Sequence, residues 1–517
     1  MKTRLPTARL VRGILAALVL LQAAGPGAEA SRIRFVRSSS DESGSQAQSE
    51  ADRLNEQANQ LFVAGKLTLA AETYRHALQL APENARFHFN LSLVLGALGD
   101  RKSQRQELLR SLELDPHLAA AHNQLALLAV EAGEMNEAEK EFQAAIAADR
   151  NYAEAWDNLG VLYSREGRDP DAIEAFREAA RANPAASSAF VNLGLVLAKQ
   201  SGVDEAKRQL TAWIAREPTN AGVYMALGVV CARANQGAEA VEAFQKAAEL
   251  RPDSSDVHLN LGMALLLQFD RKNGLRELNQ AARLDPRSAA AHLSLGHFYF
   301  EDGDYQKARA EFQIATRLEP TLEDAYYFWA LVEKQSSSYK GAADLLEKAL
   351  ALNPDNAPAQ FLLGQCLEKL GRTDEAVKHW KEAVRIDPEE SEALYNLSRT
   401  LTRIHDPEAQ TYQVRFDELQ KARELSDRVQ LLRSFALEAG KAQDWPRAID
   451  ELRQALELCG KCGSAALLHK NLAFFYEQTG KTSEAKAELE RVLVLTPNDE
   501  KARQALSDLR KLPSSGP

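Results

Sequence analysis

The sequence contains one pair of side chains whose types and spacing could do chemistry by themselves. Cys459 and Cys462 form a Cys-x-x-Cys motif. Such a pair can close a disulfide, supply two of four zinc ligands or act as a redox centre. The disulfide is favoured because the start of the chain predicts export into an oxidising compartment. Zinc would need two more ligands, for which His469 is one candidate. Redox activity would need a neighbouring βαβ sheet, and no strands are predicted.

A second set of side chains is of a type that often binds metal ions. Histidines recur at one fixed offset within a repeating pattern of the sequence. Other copies of the pattern carry an aromatic residue at the same offset, for example Trp156, Phe190 and Tyr224. The pattern therefore favours half-buried packing residues over metal ligands, and no metal site is predicted. The four histidines are His88, His122, His258 and His292.

Motifs for other chemistry are missing from the sequence. There is no phosphate-binding glycine loop, no G-x-S-x-G, no H-E-x-x-H and no EF-hand loop. The sequence therefore predicts no catalytic residue, no cofactor and no enzyme activity.

The elements that position these side chains follow from the repeating pattern. The segment 153–186 carries Trp156, Gly160, Phe176 and Pro184 at offsets that recur along most of the chain. Ten such units follow one another without a gap over 51–390, and we number the positions of each unit from 1 to 34. The closing prolines mark the register: Pro82, Pro116, Pro184, Pro218, Pro252, Pro286, Pro320, Pro354 and Pro388.

Each unit reads as two helices that pack closely. Positions 4, 7, 8 and 11 fall on one face of a helix. Position 8 is always Gly, Ala or Ser, although Gly costs up to ~1 kcal/mol in a helix, so its recurrence indicates close packing of a second helix. A glycine such as Gly167 separates the two helices, and the closing proline ends the second.

The period and this small-and-large pattern resemble the tetratricopeptide repeat, a helix–turn–helix unit of about 34 residues. The resemblance implies an all-α fold, a right-handed solenoid of about thirteen units. Because one helical hairpin cannot bury its own apolar face, stability must come from stacking neighbouring units.

The start of the chain predicts a secretory signal peptide over 1–30. A basic start is followed by the apolar run 13–24 and by an A-x-A site before Ser31. A mitochondrial presequence and an uncleaved anchor are the alternatives. The polar, Ser-rich segment 31–50 is predicted to be a flexible leader. We therefore expect an exported protein, periplasmic or extracellular.

The register slips after Pro388. Residues 391–428 read as an irregular unit with one longer helix after Pro407, a possible hinge. The repeat returns in two further units within 429–499, and 500–517 reads as a capping helix and tail. We number the irregular unit 11, from Ser391, and the last two units 12, over 429–462, and 13, over 466–499.

Charge excludes some partners. The precursor has a formal net charge of −10, and the segment 1–30 carries four basic and one acidic side chain, so the chain from Ser31 is near −13. That argues against nucleic acid and anionic membrane surfaces as partners. No other apolar run is long enough to span a membrane once the signal is removed.

Binding is therefore the predicted activity, and the partner is predicted to be a protein or an extended peptide. The sites are the positions opposite the buried face of each first helix, namely 2, 6, 9 and 13. Position 9 is apolar, for example at Leu127, Val161 and Leu195, which indicates either a semi-apolar groove or contact with the neighbouring first helix. Position 6 is rich in amides, whose carboxamide can both donate to and accept from a peptide backbone. It carries Asn90, Gln124, Asn158, Asn192, Asn260, Ser294 and, as an aromatic anchor, Phe328. Position 13 adds a basic strip of Arg165, Lys199 and Arg233, which favours an acidic segment.

The asparagines resemble the groove ladder in the superhelical arm of O-linked N-acetylglucosamine transferases. That resemblance implies a concave groove that grips extended peptide backbone. The sequence departs from it at Ala226 and from Phe328 onward, and no transferase domain follows the repeats. The alternative is that Asn-Leu-Gly recurs for structural reasons alone. If the ladder binds a ligand, replacing these residues should leave stability nearly unchanged.

Two classes of function stay open. The favoured one is an exported, non-catalytic scaffold in envelope assembly or secretion. The alternative is a non-catalytic accessory subunit of a complex that processes glycans or exports polysaccharide. A mitochondrial adaptor is a further alternative.

Overall fold

The computed structural model describes residues 46–184, 187–460 and 462–511. Within them the chain is α-helical and contains no strand. This confirms the predicted all-α fold built from helix–turn–helix units. The predicted signal peptide 1–30, most of the leader and the tail after 511 lie outside the described residues. No helix among the described residues has the length and apolar content needed to cross a membrane.

The described helices fall into two compact parts, which divide between Pro320 and Thr321. The N-terminal part holds units 1 to 8. Its helices are α1 Gln46–Val63, α2 Leu67–Leu80, α3 Ala85–Ala97, α4 Arg101–Leu114, α5 Ala119–Ala132, α6 Met135–Ala148, α7 Ala153–Arg165, α8 Asp169–Ala182, α9 Ser187–Ser201, α10 Val203–Arg216, α11 Ala221–Arg233, α12 Gly237–Leu250, α13 Ser255–Leu267, α14 Arg271–Leu284, α15 Ala289–Asp302 and α16 Tyr305–Leu318.

The C-terminal part holds the remaining units and the final helix. Its helices are α17 Glu323–Gln335, α18 Tyr339–Leu352, α19 Ala357–Lys369, α20 Thr373–Ile386, α21 Ser391–Arg403, α22 Ala409–Lys441, α23 Trp445–Cys459, α24 Ala465–Gln478, α25 Thr482–Leu495 and α26 Glu500–Lys511.

The small residue at position 8 has the packing role that its recurrence indicates. A Cβ added at Gly160 would come within 2.6 Å of the Phe176 ring, and one at Gly296 within 2.5 Å of the Phe312 ring. Both rings lie at position 24, on the second helix of the same unit, and both are fully buried. The missing side chain is therefore the space into which the aromatic ring of the second helix fits.

The turn between the two helices needs a left-handed residue. Gly167 has φ of +75° there, a conformation that glycine adopts without strain. Where the unit lacks that glycine, another residue takes the same conformation, as Phe269 does with φ of +64°.

Two predicted boundaries differ from the structure. The leader predicted over 31–50 is already helical from Gln46, where an Arg53–Glu50 ion pair one turn apart supports the extra turn. The boundary predicted between 428 and 429 falls inside α22, which runs on from Ala409 to Lys441. No Pro interrupts that segment, and its only glycine is Gly440, so nothing ends the helix at 428.

Candidate functional site

At positions 6 and 9 of the predicted binding surface, accessible side chains form a short stripe on the first helices of units 3 to 5. Its members are at positions 6 and 9 of α5, α7 and α9 and are all partly exposed. We call the set the open stripe; it consists of Gln124, Leu127, Asn158, Val161 and Leu195. Three aliphatic side chains thus lie beside two carboxamides, a composition that suits a segment of peptide with apolar side chains.

The remaining position-6 residues are less accessible than the sequence suggested. Asn90, Asn192, Asn260 and Ser294 are all buried. The expectation that none of these side chains lies on a buried surface is therefore wrong. Position 6 faces the neighbouring unit as well as the open side of the helix, which the period of a single helix cannot reveal.

Three of the asparagines form hydrogen bonds between units. The Nδ2 group of Asn158 donates to Oδ1 of Asn123 at 3.0 Å, and that of Asn192 donates to Oδ1 of Asp157 at 3.1 Å. Asn90 makes the same bond to Asn55 at 3.0 Å. In each pair, position 6 of one unit donates to position 5 of the unit before it. These bonds tie consecutive first helices together, so their loss should affect stability as well as any ligand.

Asn158 keeps capacity for a ligand in spite of this bond. It is partly exposed, and its carbonyl oxygen and second N–H are not used by the contact with Asn123. Asn192 and Asn260 are too buried to offer the same, and the Nδ2 group of Asn260 donates to the Asp256 carbonyl at 2.8 Å. That the position-6 residues bind peptide stays a prediction, and Asn158 and Gln124 are the members best placed for it.

Phe328 is not an exposed anchor. Only 1% of the residue is accessible, and its ring packs edge-on against Tyr327 at 5.1 Å. A buried ring has already lost its water, so it has no further apolar area to offer a ligand. The prediction of an aromatic anchor at Phe328 is therefore corrected: this side chain belongs to the core.

The basic strip is exposed but partly neutralised. Arg165, Lys199 and Arg233 are all exposed. Nζ of Lys199 pairs with Oδ1 of Asp169 on the preceding unit at 2.8 Å. These are position 13 of one unit and position 17 of the unit before it. In units 2 and 3 the charges at these positions are reversed, and Arg101 pairs with Glu131 at 3.0 Å. Position 13 is thus used for ion pairs between units, which weakens the case for a strongly acidic ligand.

Each of the recurring histidines has a hydrogen-bond partner that was not predicted from the sequence. Nδ1 of His122 lies 2.6 Å from Oε2 of Glu141, and its Nε2 lies 3.1 Å from the Pro116 carbonyl oxygen. Since both partners are acceptors, the ring satisfies both only when both nitrogens carry protons. Hydrogen bonding to Glu141 raises the pKa of His122, outweighing the effect of burial.

The arrangement recurs wherever position 4 is histidine. Each ring meets a glutamate at the same spacing further along the chain, on the second helix of its unit. The pairs are His88–Glu107, His122–Glu141, His258–Glu277, His292–Glu311 and His469–Glu488. Unit 10 has the reverse pair, in which His379 contacts Gln360 at 2.7 Å. The signal was present in the sequence, because glutamate accompanies each of these histidines at that spacing.

The cysteines divide into two kinds. The structure joins Cys459 and Cys462 by a disulfide at the end of α23, with Cα atoms 5.1 Å apart. Whether the pair is oxidised where the protein works stays a prediction. Cys231 and Cys366 are buried in first helices, as expected of thiols that pack as small apolar groups. Burial raises the pKa of the Cys366 thiol to about 11, which keeps it in the unreactive thiol form.

Comparison with known proteins places repeats of one kind along most of the chain. Residues 55–119 and 123–187 match one family model described as tetratricopeptide repeat, and 335–397 match a second with the same description. Residues 210–326 match the model of the cytochrome c-type biogenesis protein H TPR domain.

Among curated proteins, DnaJ homolog subfamily C member 3 of Bos taurus is 32% identical over 120 residues. The match covers 23% of this chain and only 19% of that protein.

Several solved structures are also similar. The structure titled "YrrB: a TPR protein with an unusual peptide-binding site" is 26% identical and matches 35% of this chain and 94% of its own, with a TM-score of 0.32. A structure of MamA is 26% identical over 33% of this chain and 94% of its own, with a TM-score of 0.30. The APC/C hetero-tetramer Cut9–Hcn1 is 16% identical over 89% of this chain and 96% of its own, with a TM-score of 0.31.

Proposed function

Because this chain is a tetratricopeptide-repeat protein, we propose that it is an exported, non-catalytic scaffold that binds an extended segment of another protein along the open stripe. Tetratricopeptide repeats are protein-interaction modules, which supports binding to a protein or peptide. The observation that carries the proposal is the open stripe itself. Aliphatic side chains left partly exposed beside amides with spare hydrogen-bonding capacity are suited to side chains and backbone of a bound peptide at once.

The proposed ligand is an extended segment, with apolar side chains more important than charge. Leu127, Val161 and Leu195 occupy the same position in three consecutive units, so an extended chain can contact them in turn. Gln124 and Asn158 lie beside them and suit the ligand's backbone N–H and carbonyl groups. Since Lys199 is already paired with Asp169, acidic side chains in the ligand are of secondary importance.

A role in assembling other exported proteins is the task that we propose for the scaffold. The match of residues 210–326 to the repeat domain of a cytochrome c-type biogenesis protein supports assembly as the class of task. The basic and apolar start of the chain supports export.

Acidic substitutions in the open stripe are expected to abolish most of the binding. A Val161→Glu, Leu195→Glu chain should lose ~2 kcal/mol or more of binding free energy, about thirtyfold in affinity, because two charges would be buried under the ligand. The measurement is quantitative pull-down of partners from cells that produce the protein. Leu109→Glu is the matched control, since Leu109 is an exposed leucine on a second helix.

The melting temperature separates binding from folding in that experiment. Both variants should melt close to the parent, because the substituted residues are partly exposed. Equal capture of partners by the stripe variant and the parent would exclude the open stripe as the binding surface.

Removal of the signal is expected to leave Ser31 as the first residue. N-terminal sequencing of the protein from the exported fraction checks this directly, because the A-x-A site ends at Ala30. Exported protein that still begins at Met1 would contradict signal cleavage, and protein found only inside the cell would contradict export.

A further inference from the structure

Consecutive units stack through a fixed set of positions. Where unit 2 meets unit 3, one buried cluster contains Phe89, Leu93 and Leu108 of unit 2 together with Ala121, Leu125 and Leu128 of unit 3. These are positions 5, 9 and 24 of the earlier unit and positions 3, 7 and 10 of the later one. We call the first set the end face of a unit and the second set the start face.

The start face of unit 12 is uncovered. Its positions 3 and 7 are Leu431 and Phe435, which are 52% and 39% exposed. Position 3 is buried in every unit from 2 to 11 and again in unit 13. Those residues are Phe87, Ala121, Ala155, Ala189, Val223, Val257, Ala291, Ala325, Ala359, Ala393 and Leu468.

The end face of unit 11 is uncovered as well. Its positions 5 and 9 are Tyr395 and Arg399, which are both exposed, Tyr395 by 48%. Position 5 is buried in other units, for example at Val191 and Leu259. The Tyr395 ring contacts Phe416 of α22 at 5.6 Å and has the Arg399 guanidinium 5.8 Å from its centroid, yet the residue stays 48% exposed.

Helix α22 explains why these two faces do not meet. Its first part packs on α21 as the second helix of unit 11, and its last part packs on α23 as the first helix of unit 12. The turn that normally folds the next unit back is missing, so the two faces are held apart on one helix of 33 residues, about 50 Å long. Residues 421–428 are exposed on every side of this helix.

The uncovered start face does not have the composition of a solenoid end. The start face of unit 1 holds Arg53, Gln57 and Gln60, which are all exposed and polar, as a terminal unit requires. Unit 12 has a leucine and a phenylalanine at the first two of these positions. Exposed apolar side chains at positions reserved for stacking indicate a surface that is covered in the working protein.

We propose that a second copy of this chain covers both faces. Unit 12 of one chain stacks on unit 11 of its partner, and the partner's unit 12 stacks on unit 11 of the first chain. The end face of unit 11 and the start face of unit 12 are the two halves of one kind of inter-unit contact. When two chains exchange their units 12, each end face meets the partner's start face, and a two-fold axis relates the two contacts. The two α22 helices cross at their midpoint, where Leu425 is exposed.

Charge at the two faces agrees with this pairing. Position 9 of unit 11 is Arg399, and position 10 of unit 12 is Glu438, both exposed. The equivalent positions in units 2 and 3 are Leu93 and Leu128, which lie in the same buried cluster. Arg399 already pairs with Glu368 of its own chain at 3.4 Å. Exchange of the units adds Glu438 as a second anion next to Arg399, and such complementarity favours the matching partner face.

The oligomeric state of the purified full chain tests the proposal. Light scattering after size exclusion should give the mass of a dimer for the parent chain. Leu431→Arg with Phe435→Gln, which gives unit 12 the polar start face of unit 1, should give a monomer with unchanged helicity and melting temperature. Phe269→Asn is the matched control, because it removes a more exposed aromatic residue from a turn in unit 7 and should leave the dimer intact.

A charge exchange distinguishes this dimer from other forms of association. Glu438→Arg should weaken the dimer by about tenfold or more. Arg399→Glu in the same chain should restore most of the affinity, because Arg403 still pairs with Glu368, the present partner of Arg399. A parent chain that is monomeric at all concentrations, or a dimer that survives the polar substitutions, overturns the proposal. So does a monomer whose faces are covered by a different protein when it is isolated from cells.

Discussion

Replacement of Trp380 by alanine is expected to lower the free energy of unfolding of the C-terminal part by about 3–5 kcal/mol. The indole is fully buried at position 24 of unit 10, and its Nε1 donates to the Phe361 carbonyl at 3.1 Å. Truncation leaves a cavity between α19 and α20 and removes that hydrogen bond. Hydrogen exchange of the amides in these two helices, in the full chain, measures the loss.

The space for the indole is made by Gly364. A methyl group added there would overlap the Trp380 ring, so Gly364→Ala should cost about 1–3 kcal/mol in spite of the better helix propensity of alanine. In unit 9 the equivalent positions 8 and 24 are Ala330 and Leu346, which are both fully buried. In a chain with Trp380→Leu, Gly364→Ala should therefore cost little. An equal cost of Gly364→Ala in both backgrounds would show that the two positions do not share one space.

Removal of the carboxylate from a histidine–glutamate pair is expected to have the second large effect on stability. Glu141→Ala should lower the free energy of unfolding by about 1–3 kcal/mol, because Nδ1 of His122 loses its acceptor in a half-buried place. His122→Tyr should cost about as much, since it leaves Glu141 half buried without that partner. The double substitution His122→Tyr, Glu141→Ala reproduces the pair that unit 6 has, Tyr224 with Ala243, and should recover most of the loss.

The same pair predicts how stability depends on pH. The folded pKa of His122 is raised, chiefly by the hydrogen bond to Glu141, and the folded pKa of His292 is raised by Glu311 in the same way. The stability that these pairs contribute is complete below the unfolded pKa of about 6.5 and is lost as pH rises through the higher folded pKa. The parent chain should therefore melt at a lower temperature as pH rises above about 6.5.

The Glu141→Ala variant provides the comparison. Its melting temperature should fall less steeply over the same pH range than that of the parent, because one coupled pair is gone. An identical slope in the two chains would mean that His122 titrates alike in the folded and unfolded states.

The fold could be predicted because the residues that recur in each unit are the ones that pack its two helices together. The small residue at position 8 indicated a close approach of two helices, and at Gly160 and Gly296 an aromatic ring fills the space. The sequence alone also indicated a longer helix after Pro407. It did not show that the helix runs on to Lys441, because a register that returns at 429 looks like a new unit whether or not a turn precedes it.

The candidate site could be predicted only in part, since its accessibility depends on contacts between units. Helical periodicity assigns Asn192 and Phe328 to the open side of their helices, yet both are buried. The bond from Asn192 to Asp157 joins residues 35 apart, a separation outside the pattern of any single helix. The histidine pairs were predictable, since a glutamate follows His122, His258 and His292 at one and the same spacing.

The central claim is that partners bind along the open stripe, and site-specific photo-crosslinking in the producing cells tests it most directly. A photoreactive residue placed at Val161 or at Leu195 should attach the chain to a partner protein, because both side chains face the ligand. The same residue placed at Lys140, an exposed position on the second helix α6, should attach little or none. Attachment at Lys140 without attachment at Val161 and Leu195 would contradict the claim.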